Sequence, residues 1–381
     1  MKKTLTSIAM LSALFLAACG NTADNATNPT EPTQPGTGEV SVPDELTTDG
    51  ETTPLVLITD YGGIDDGSFN QGSWEGLVAF ATANNINHHF IRPADVSDAE
   101  YLQSIYLANS IGAELIVTPG FLFEASIYNA QDIFPDTKFV LLDGDPRNPE
   151  TEEIRIEDNT VAVHFAEEEA GFLAGYAIVL EGHRSLGFIG GIPVPAVVRF
   201  GHGFVLGAEY AAAELGLAPG EVTINYNYAF TFTPSPSIQT MAASWYNNGV
   251  EVIFAAAGGG NFSVASAAEN SGGLMIGVDS DQSGLSDVVI TSALKDLSEA
   301  VYQIIDDFFA GNFPGGQSIV LGAKDNAVGL PMETSRFTNF TQEQYDEIFA
   351  RVASGDIEIS TDVELELSDL GLQLVSVDMI S

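Results

Sequence analysis

The chain is 381 residues long and 45% of it is hydrophobic, enough for a large core and for two domains rather than one. It carries 53 acidic and 12 basic residues, a formal net charge of −41. That balance excludes nucleic-acid binding, because phosphates would be repelled and no basic stripe is present, and it disfavours anionic ligands such as nucleotides.

Lys2 and Lys3 give a positive start, and the apolar run from Ile8 to Leu16 is too short to span a bilayer. It ends in Leu16-Ala17-Ala18-Cys19, with small residues ahead of the one cysteine in the sequence. This pattern predicts a lipoprotein signal peptide over 1–18 and lipidation of Cys19, which would hold the protein at the outer face of the cell membrane or in the periplasm. Cleavage would remove both lysines and take the formal charge from −41 to −43. So acidic a surface fits a salty or alkaline exterior. No intrachain disulfide is possible with one cysteine, and no later apolar stretch is long enough for a transmembrane helix. Residues 19–53, rich in Thr, Pro, Asn, Gly and acids, read as a flexible tether.

Folded structure is expected to start at Leu55-Val56-Leu57-Ile58-Thr59, an apolar run without alternation, as in a strand covered on both faces. A helix follows, with Trp74, Leu77, Val78 and Ala81 on one stripe. His89 to Ile91 reads as a strand. Ser97 and Glu100 read as a capping box for a helix carrying Tyr101, Leu102 and Ile105. Leu115 to Val117 is a strand, Phe121 to Phe134 a helix and Phe139 to Leu142 a strand, so the series predicts a doubly wound α/β lobe. A second series starts near Val161. It comprises a helix from Glu167 to Leu180, a strand at Leu186 to Ile189, a helix from Val197 to Leu215, and strands at Val222–Tyr226, Val252–Ala255 and Met275–Val278. Ile290 to Ser292 and the amphipathic helix from Asp296 to Phe309 are expected to cross back to the first lobe, and Gln317 to Gly329 to cross again. The resulting division is 54–162 plus about 292–318 for lobe 1, and 163–291 plus about 319–381 for lobe 2. Two such lobes bind a ligand in the cleft between them, at the carboxyl ends of the strands.

The sequence carries no G-x-S-x-G elbow, HExxH or GK[ST] phosphate loop. The histidines show no metal-ligand spacing, and His88 and His89 fall on opposite faces of a strand. Asp65-Asp66 before Gly67 lacks the alternating acids and terminal Glu of a calcium loop, and Gly258-Gly259-Gly260 lacks the spacing of a dinucleotide turn. No catalytic residue, metal or cofactor is expected. What stands out is a set of polar and aromatic residues at strand ends: Asp60, the stretch Asp66 to Asn70, Asp143, Gly258-Gly259, Asp279 and Lys295. Carboxylates there can accept hydrogen bonds from hydroxyls and ring N–H groups, and aromatics supply flat stacking faces.

Several segments, in this order, resemble the basic membrane protein family of lipoproteins, whose purine nucleoside receptors feed ABC importers. They are Asp66-Gly67-Ser68-Phe69-Asn70-Gln71-Gly72-Ser73-Trp74-Glu75-Gly76, Pro119-Gly120-Phe121, Pro135 to Phe139 with Asp143, Glu169 to Tyr176, Gly187 to Gly191, Gly277 to Gln282, and Thr291 to Lys295. The strongly acidic charge departs from the family name. The resemblance implies a type I periplasmic-binding fold, a monomer whose lobes close on a nucleoside, and an ABC permease and ATPase as partners. It implies that Phe69 stacks on the base, that Asn70 hydrogen-bonds it, and that Asp60 and Asp143 help to hold it. Asp279, Lys295 and the backbone at Gly258 or Gly259 would hold the ribose. A second stacking ring falls at Phe232, with Phe230 as the alternative in a segment that departs from the family pattern. Competing readings are a pentose or signalling-molecule receptor, a surface sensor or adhesin without transport, and a nucleosidase built on Asp60, Asp65 and Asp66.

Overall fold

The computed structural model describes residues 52–380. The signal peptide, Cys19 and nearly all of the tether expected over 19–53 lie outside the described residues. The chain runs β1 (Leu55–Ile58), α1 (Phe69–Asn84), β2 (His88–Ile91), α2 (Asp98–Ser110), β3 (Leu115–Pro119), α3 (Glu124–Ile133), β4 (Lys138–Leu142) and β5 (Thr160–Phe165). It continues with α4 (Glu167–Glu181), β6 (Ser185–Gly190), α5 (Pro195–Glu214), β7 (Val222–Tyr228), α6 (Pro236–Asn247), β8 (Val252–Ala256), α7 (Asn261–Ser271), β9 (Leu274–Asp279) and β10 (Val289–Lys295). The remainder is α8 (Leu297–Phe309), β11 (Gln317–Leu321), β12 (Val328–Gly329), α9 (Gln342–Ala353) and β13 (Val375–Met379).

The strands form two sheets, ordered β11-β5-β4-β3-β1-β2 and β12-β10-β9-β8-β6-β7-β13. All pairs are parallel except β12 with β10. The all-apolar strands explain this: β1 is buried along its whole length, as a strand with helices on both faces must be. The chain crosses between sheets three times, after Phe165, Lys295 and Leu321 rather than near 162, 291 and 318. β10 therefore stays in the second sheet, and α8 and β11 return to the first lobe, where Tyr302 and Phe309 of α8 pack on Phe80 of α1 and β11 pairs with β5. The capping box at α2 is half made: the Ser97 hydroxyl accepts from the N–H of Glu100, but the Glu100 carboxylate accepts from Ala94. The helix expected from Phe121 begins as a 3-10 turn over Phe121–Phe123 before α3.

Two local features bear on the cavity. α1 is capped by Asp66, whose Oδ1 accepts from the N–H groups of Ser68 and Gln71 and whose Oδ2 accepts from that of Asn70. α4 and α5 touch backbone to backbone: a Cβ on Gly171, Gly175, Gly203 or Gly207 would lie 2.0–2.2 Å from a carbonyl oxygen of the other helix. That close approach explains the glycines in Glu169 to Tyr176, and it fixes the helix starts that carry Glu167 and Phe200. The C-terminal segment, which sequence reading left without elements, is held by Glu209, whose carboxylate accepts from the N–H groups of Gln373, Leu374 and Val375.

Candidate functional site

The carboxyl ends of both sheets face one cavity, and all nine candidate residues line it: Asp60, Phe69, Asn70, Asp143, Phe232, Gly258, Gly259, Asp279 and Lys295. The first-lobe wall comes from the ends of β1 and β4, the start of α1 and Gly120-Phe121; the second-lobe wall comes from the ends of β8, β9 and β10, the start of α5 and the loop after β7. Asp143 and Asp279 both sit at strand ends with positive φ, 53° and 64°. This left-handed turn swings the carboxylate off the strand line, and Asp tolerates it better than most residues.

Lys295 is the electrostatic centre. Its side chain is 1% exposed, it donates to Asp143 Oδ2, and it lies 2.9 Å from Glu167 Oε1, an ion pair without hydrogen-bond geometry. Glu167 Oε2 accepts from Arg199 Nε at 2.6 Å. The rings of Phe69, Phe165 and Phe200 surround the ammonium, with centroids 4.9, 5.2 and 5.7 Å from Nζ. Burial works against the charge, but Asp143, Glu167 and Asp279 outweigh it and hold Lys295 well above its ordinary value. For Glu167, burial is likewise outweighed by Lys295 and Arg199, so its carboxyl falls below the usual range. Asp143 goes up, because its burial exceeds the pull of the single lysine. Asp60 and Asp279 are each pushed up to about 6, chiefly by burial; Asn70 and the Lys295 charge respectively oppose the rise. Glu168, whose Oε2 has no hydrogen-bond partner, is pushed up to about 7 by burial and by Glu167.

The lobes meet over the cavity. The Ser68 hydroxyl of the first lobe donates to Asp279 Oδ2 of the second, and Gln282 donates to the carbonyl of Gly67 at 2.8 Å. Of the two rings offered after β7, Phe232 lines the cavity, while Phe230 is 72% exposed. Gly191 makes room for Phe232, since a Cβ there would lie 2.3 Å from its ring. The acid trio does not assemble: Asp65 is exposed and outside the cavity, and the Asp66 oxygens are occupied by α1. Among the described residues no group of three or more His, Cys, Asp or Glu could hold a metal, and no helix is long and apolar enough to cross a membrane.

Sequence reading missed Glu167, Arg199 and Phe200. A signal existed for the first two. Glu167 opens a helix that is otherwise apolar from Ala170 to Leu180, and Arg199 is one of 12 basic residues yet stands among Val197, Val198 and Phe200. A charge in such surroundings needs a buried partner.

Residues 53–361 match the family model described as ABC transporter substrate-binding protein PnrA-like. A nucleoside-binding protein of an ABC transporter, BmpA from Lactococcus lactis, is 29% identical over 73% of this chain and 81% of its own length. Basic membrane protein B of Borreliella burgdorferi is 29% identical over 71% and 78%, and a CD4+ T-cell-stimulating antigen of Listeria innocua 28% over 93% and 96%. Among solved structures, a solute-binding protein of an ABC transporter system from Aeropyrum pernix aligns with TM-score 0.69 at 23% identity, covering 81% of this chain and 93% of that one. One from Conexibacter woesei aligns with TM-score 0.64 at 20% identity, covering 81% and 99%. These likenesses give the two-lobed fold of periplasmic-binding type. The chain belongs to the PnrA-like family of ABC transporter substrate-binding proteins, which bind solutes and do not transform them.

Proposed function

We propose that the cavity captures a nucleoside with a purine base, and that the protein, lipid-anchored through Cys19 outside the cell membrane, delivers it as a monomer to an ABC permease and its ATPase. The observation that carries this is the placement of Phe69 from one lobe and Phe232 from the other on a largely apolar cavity, which Phe121, Phe200 and Val194 to Val197 also line and which carries a few carboxylates, one lysine and glycine backbone. Two rings on opposite lobes offer both faces of a flat base a stacking partner, and the polar groups of the second lobe suit sugar hydroxyls. The name of the Lactococcus relative points the same way. Asp279, Lys295 and the N–H groups of Gly258 and Gly259 hold the ribose; Asp60 holds the base. Asn70 acts differently from the role that the family resemblance implies, because its amide is bonded to Asp60 and Asp66 and so orients Asp60.

Calorimetric titration with nucleosides, free bases, ribose and nucleotides tests this. Ribonucleosides should bind tightest, 2′-deoxynucleosides and free bases more weakly, and nucleotides not at all. Binding of a pentose with no response to any nucleoside would overturn the assignment. Replacing Cys19 with Ser should release the protein from membranes, and retention there would remove the anchor from the proposal.

A further inference from the structure

Every side-chain donor on the first-lobe wall of the cavity is already spent. Asn70 Nδ2 donates to Asp60 Oδ1 and to Asp66 Oδ2, each at 2.8 Å, and Asn70 Oδ1 accepts from the N–H of Asp60 at 3.2 Å. Asp66 is saturated in turn by the first turn of α1. Asp60 Oδ1 also accepts from the N–H of Gly62 at 3.1 Å. What remains on this wall is acceptors. Asp143 Oδ1 has no hydrogen-bond partner, and among the described residues Asp60 Oδ2 accepts from none. Gly120 keeps the second of these open: its φ is +113°, and a Cβ there would sit 2.9 Å from Asp60 Oδ2.

The opposite wall is mixed. It offers the Lys295 ammonium and the N–H groups of Gly258 and Gly259 as donors, and the Asp279 carboxylate as acceptor. A hydroxyl both donates and accepts, so a sugar suits that wall; a group that only donates suits the first.

Taking the nucleoside reading as its basis, we infer that the first-lobe wall reads a base edge rich in N–H donors, and that Asp60 makes the site select guanosine and inosine over adenosine. Guanine presents its N1–H beside its 2-amino group, and the open Oδ2 of Asp60, with two lone pairs, can accept from both. Hypoxanthine keeps the N1–H alone. Adenine turns a bare lone pair at N1 toward the carboxylate, which leaves a charged acceptor unpaired and repels the ring nitrogen. Sites built on such a hydrogen bond discriminate strongly against a ligand that lacks the donor. Asn70 fixes the orientation of Asp60, so the rejected base has no way to turn the carboxylate aside.

The test is calorimetric titration of the wild-type protein and of Asp60→Asn with guanosine, inosine, adenosine and 1-methylguanosine at pH 7.5. For the wild type, inosine should bind roughly tenfold more weakly than guanosine for one charge-assisted bond lost, adenosine roughly a hundredfold for two, and 1-methylguanosine at least roughly tenfold, since it loses the N1–H bond and sets a methyl group against the carboxylate. In Asp60→Asn, which keeps the shape and can turn an amide donor toward the base, the gap between guanosine and adenosine should shrink at least tenfold. If adenosine matches guanosine on the wild type, or the gap is undiminished in a folded Asp60→Asn, the inference is wrong although nucleoside capture stands. Should none of the four bind the wild type, nucleoside capture itself falls. The methylated ligand needs no variant, so a misfolded Asp60→Asn leaves the inference open to refutation.

Discussion

The two walls of the cavity use acidic residues in opposite ways. On the first lobe, Asp60, Asp66 and Asn70 are bonded to one another and to the first turn of α1, so the carboxylates are fixed before any ligand arrives. On the second lobe, charge is balanced across elements: Lys295 from β10 meets Glu167 from α4, which meets Arg199 from α5. Asp143 is the exception that joins them, a first-lobe carboxylate whose partner is the second-lobe lysine. One wall is thus preorganised by hydrogen bonds within itself, the other by a buried ion chain that reaches across the hinge. Fixed polar groups lower the ordering cost of binding, and a cross-lobe ion pair ties ligand contacts to the relative position of the lobes.

The largest effect should come from cutting the ion chain. Lys295→Met would strand Asp143 in the interior and leave Glu167 with Arg199 alone, and removing one partner of a buried pair costs roughly 3–5 kcal/mol. Chemical denaturation should show a loss of that order, and nucleoside affinity should collapse with it. A loss below about 1 kcal/mol would mean that water reaches these carboxylates and that the second wall is not built on ion pairing.

Next come the rings. Phe69→Ala and Phe232→Ala should each weaken nucleoside binding about ten- to a hundredfold, since base–aromatic stacking is worth roughly 1–3 kcal/mol. Phe230→Ala should change nothing, because that side chain is exposed and outside the cavity. Equal effects at Phe230 and Phe232 would show that the loop after β7 rearranges around the ligand.

The strand-end residues of these walls were legible in sequence because an apolar run announces a buried strand, and the first polar residue after it must lie at the strand's end. Asp60, Asp143 and Asp279 follow such runs, and the parallel order of the sheets brings them to one face. Glu167, Arg199 and Phe200 were not read as site residues because they open helices, and their convergence depends on how closely α4 packs on α5. The crossings were misplaced by a few residues for a related reason. β5 extends to Phe165 and β10 to Lys295, and nothing in apolar character says which sheet a strand joins. The occupancy of Asn70 was illegible too, since an amide four residues beyond Asp66 can face a ligand or a neighbour equally well.

A change in pH should separate ligand contact from fold stability by sign. Burial pushes Asp60 and Asp279 up to about 6 from an ordinary value of 3.8. Between those values the folded chain binds protons that the unfolded chain does not, so these two groups weaken the fold above pH 6 and cease to do so as the pH falls. Glu181 has the reverse sign. Burial opposes its charge, but the N–H groups of Phe340, Asn339 and Thr338 outweigh this and hold it below its ordinary value, so its contribution is lost in acid. Affinity follows the ionised acceptors: ligand N–H and O–H donors need Asp60 and Asp279 charged. Calorimetry should therefore show constant affinity above about pH 7 and a fall below 6, at most about tenfold per pH unit for each group. Asp60→Asn should make that fall shallower, whereas an unchanged slope would assign the titration to Asp279 alone.

Salt should produce the smallest effect, and it contrasts the surface with both walls. Most of the 53 acidic residues have no basic partner available, since the chain has only 12 lysines and arginines. Their mutual repulsion acts through water and is screened over about 10 Å at 0.1 M salt. The melting temperature should rise as salt is added from a few millimolar upward. The ions of the walls are buried, their partners are in contact, and screening does not reach them in the same way. A nucleoside is also uncharged, so its approach gains nothing from the field of the surface. Its affinity should accordingly stay flat over the same salt range in which the melting temperature climbs. If affinity instead tracks stability, the acidic surface is coupled to closure of the lobes, and the separation between a salt-sensitive exterior and a salt-insensitive cavity fails.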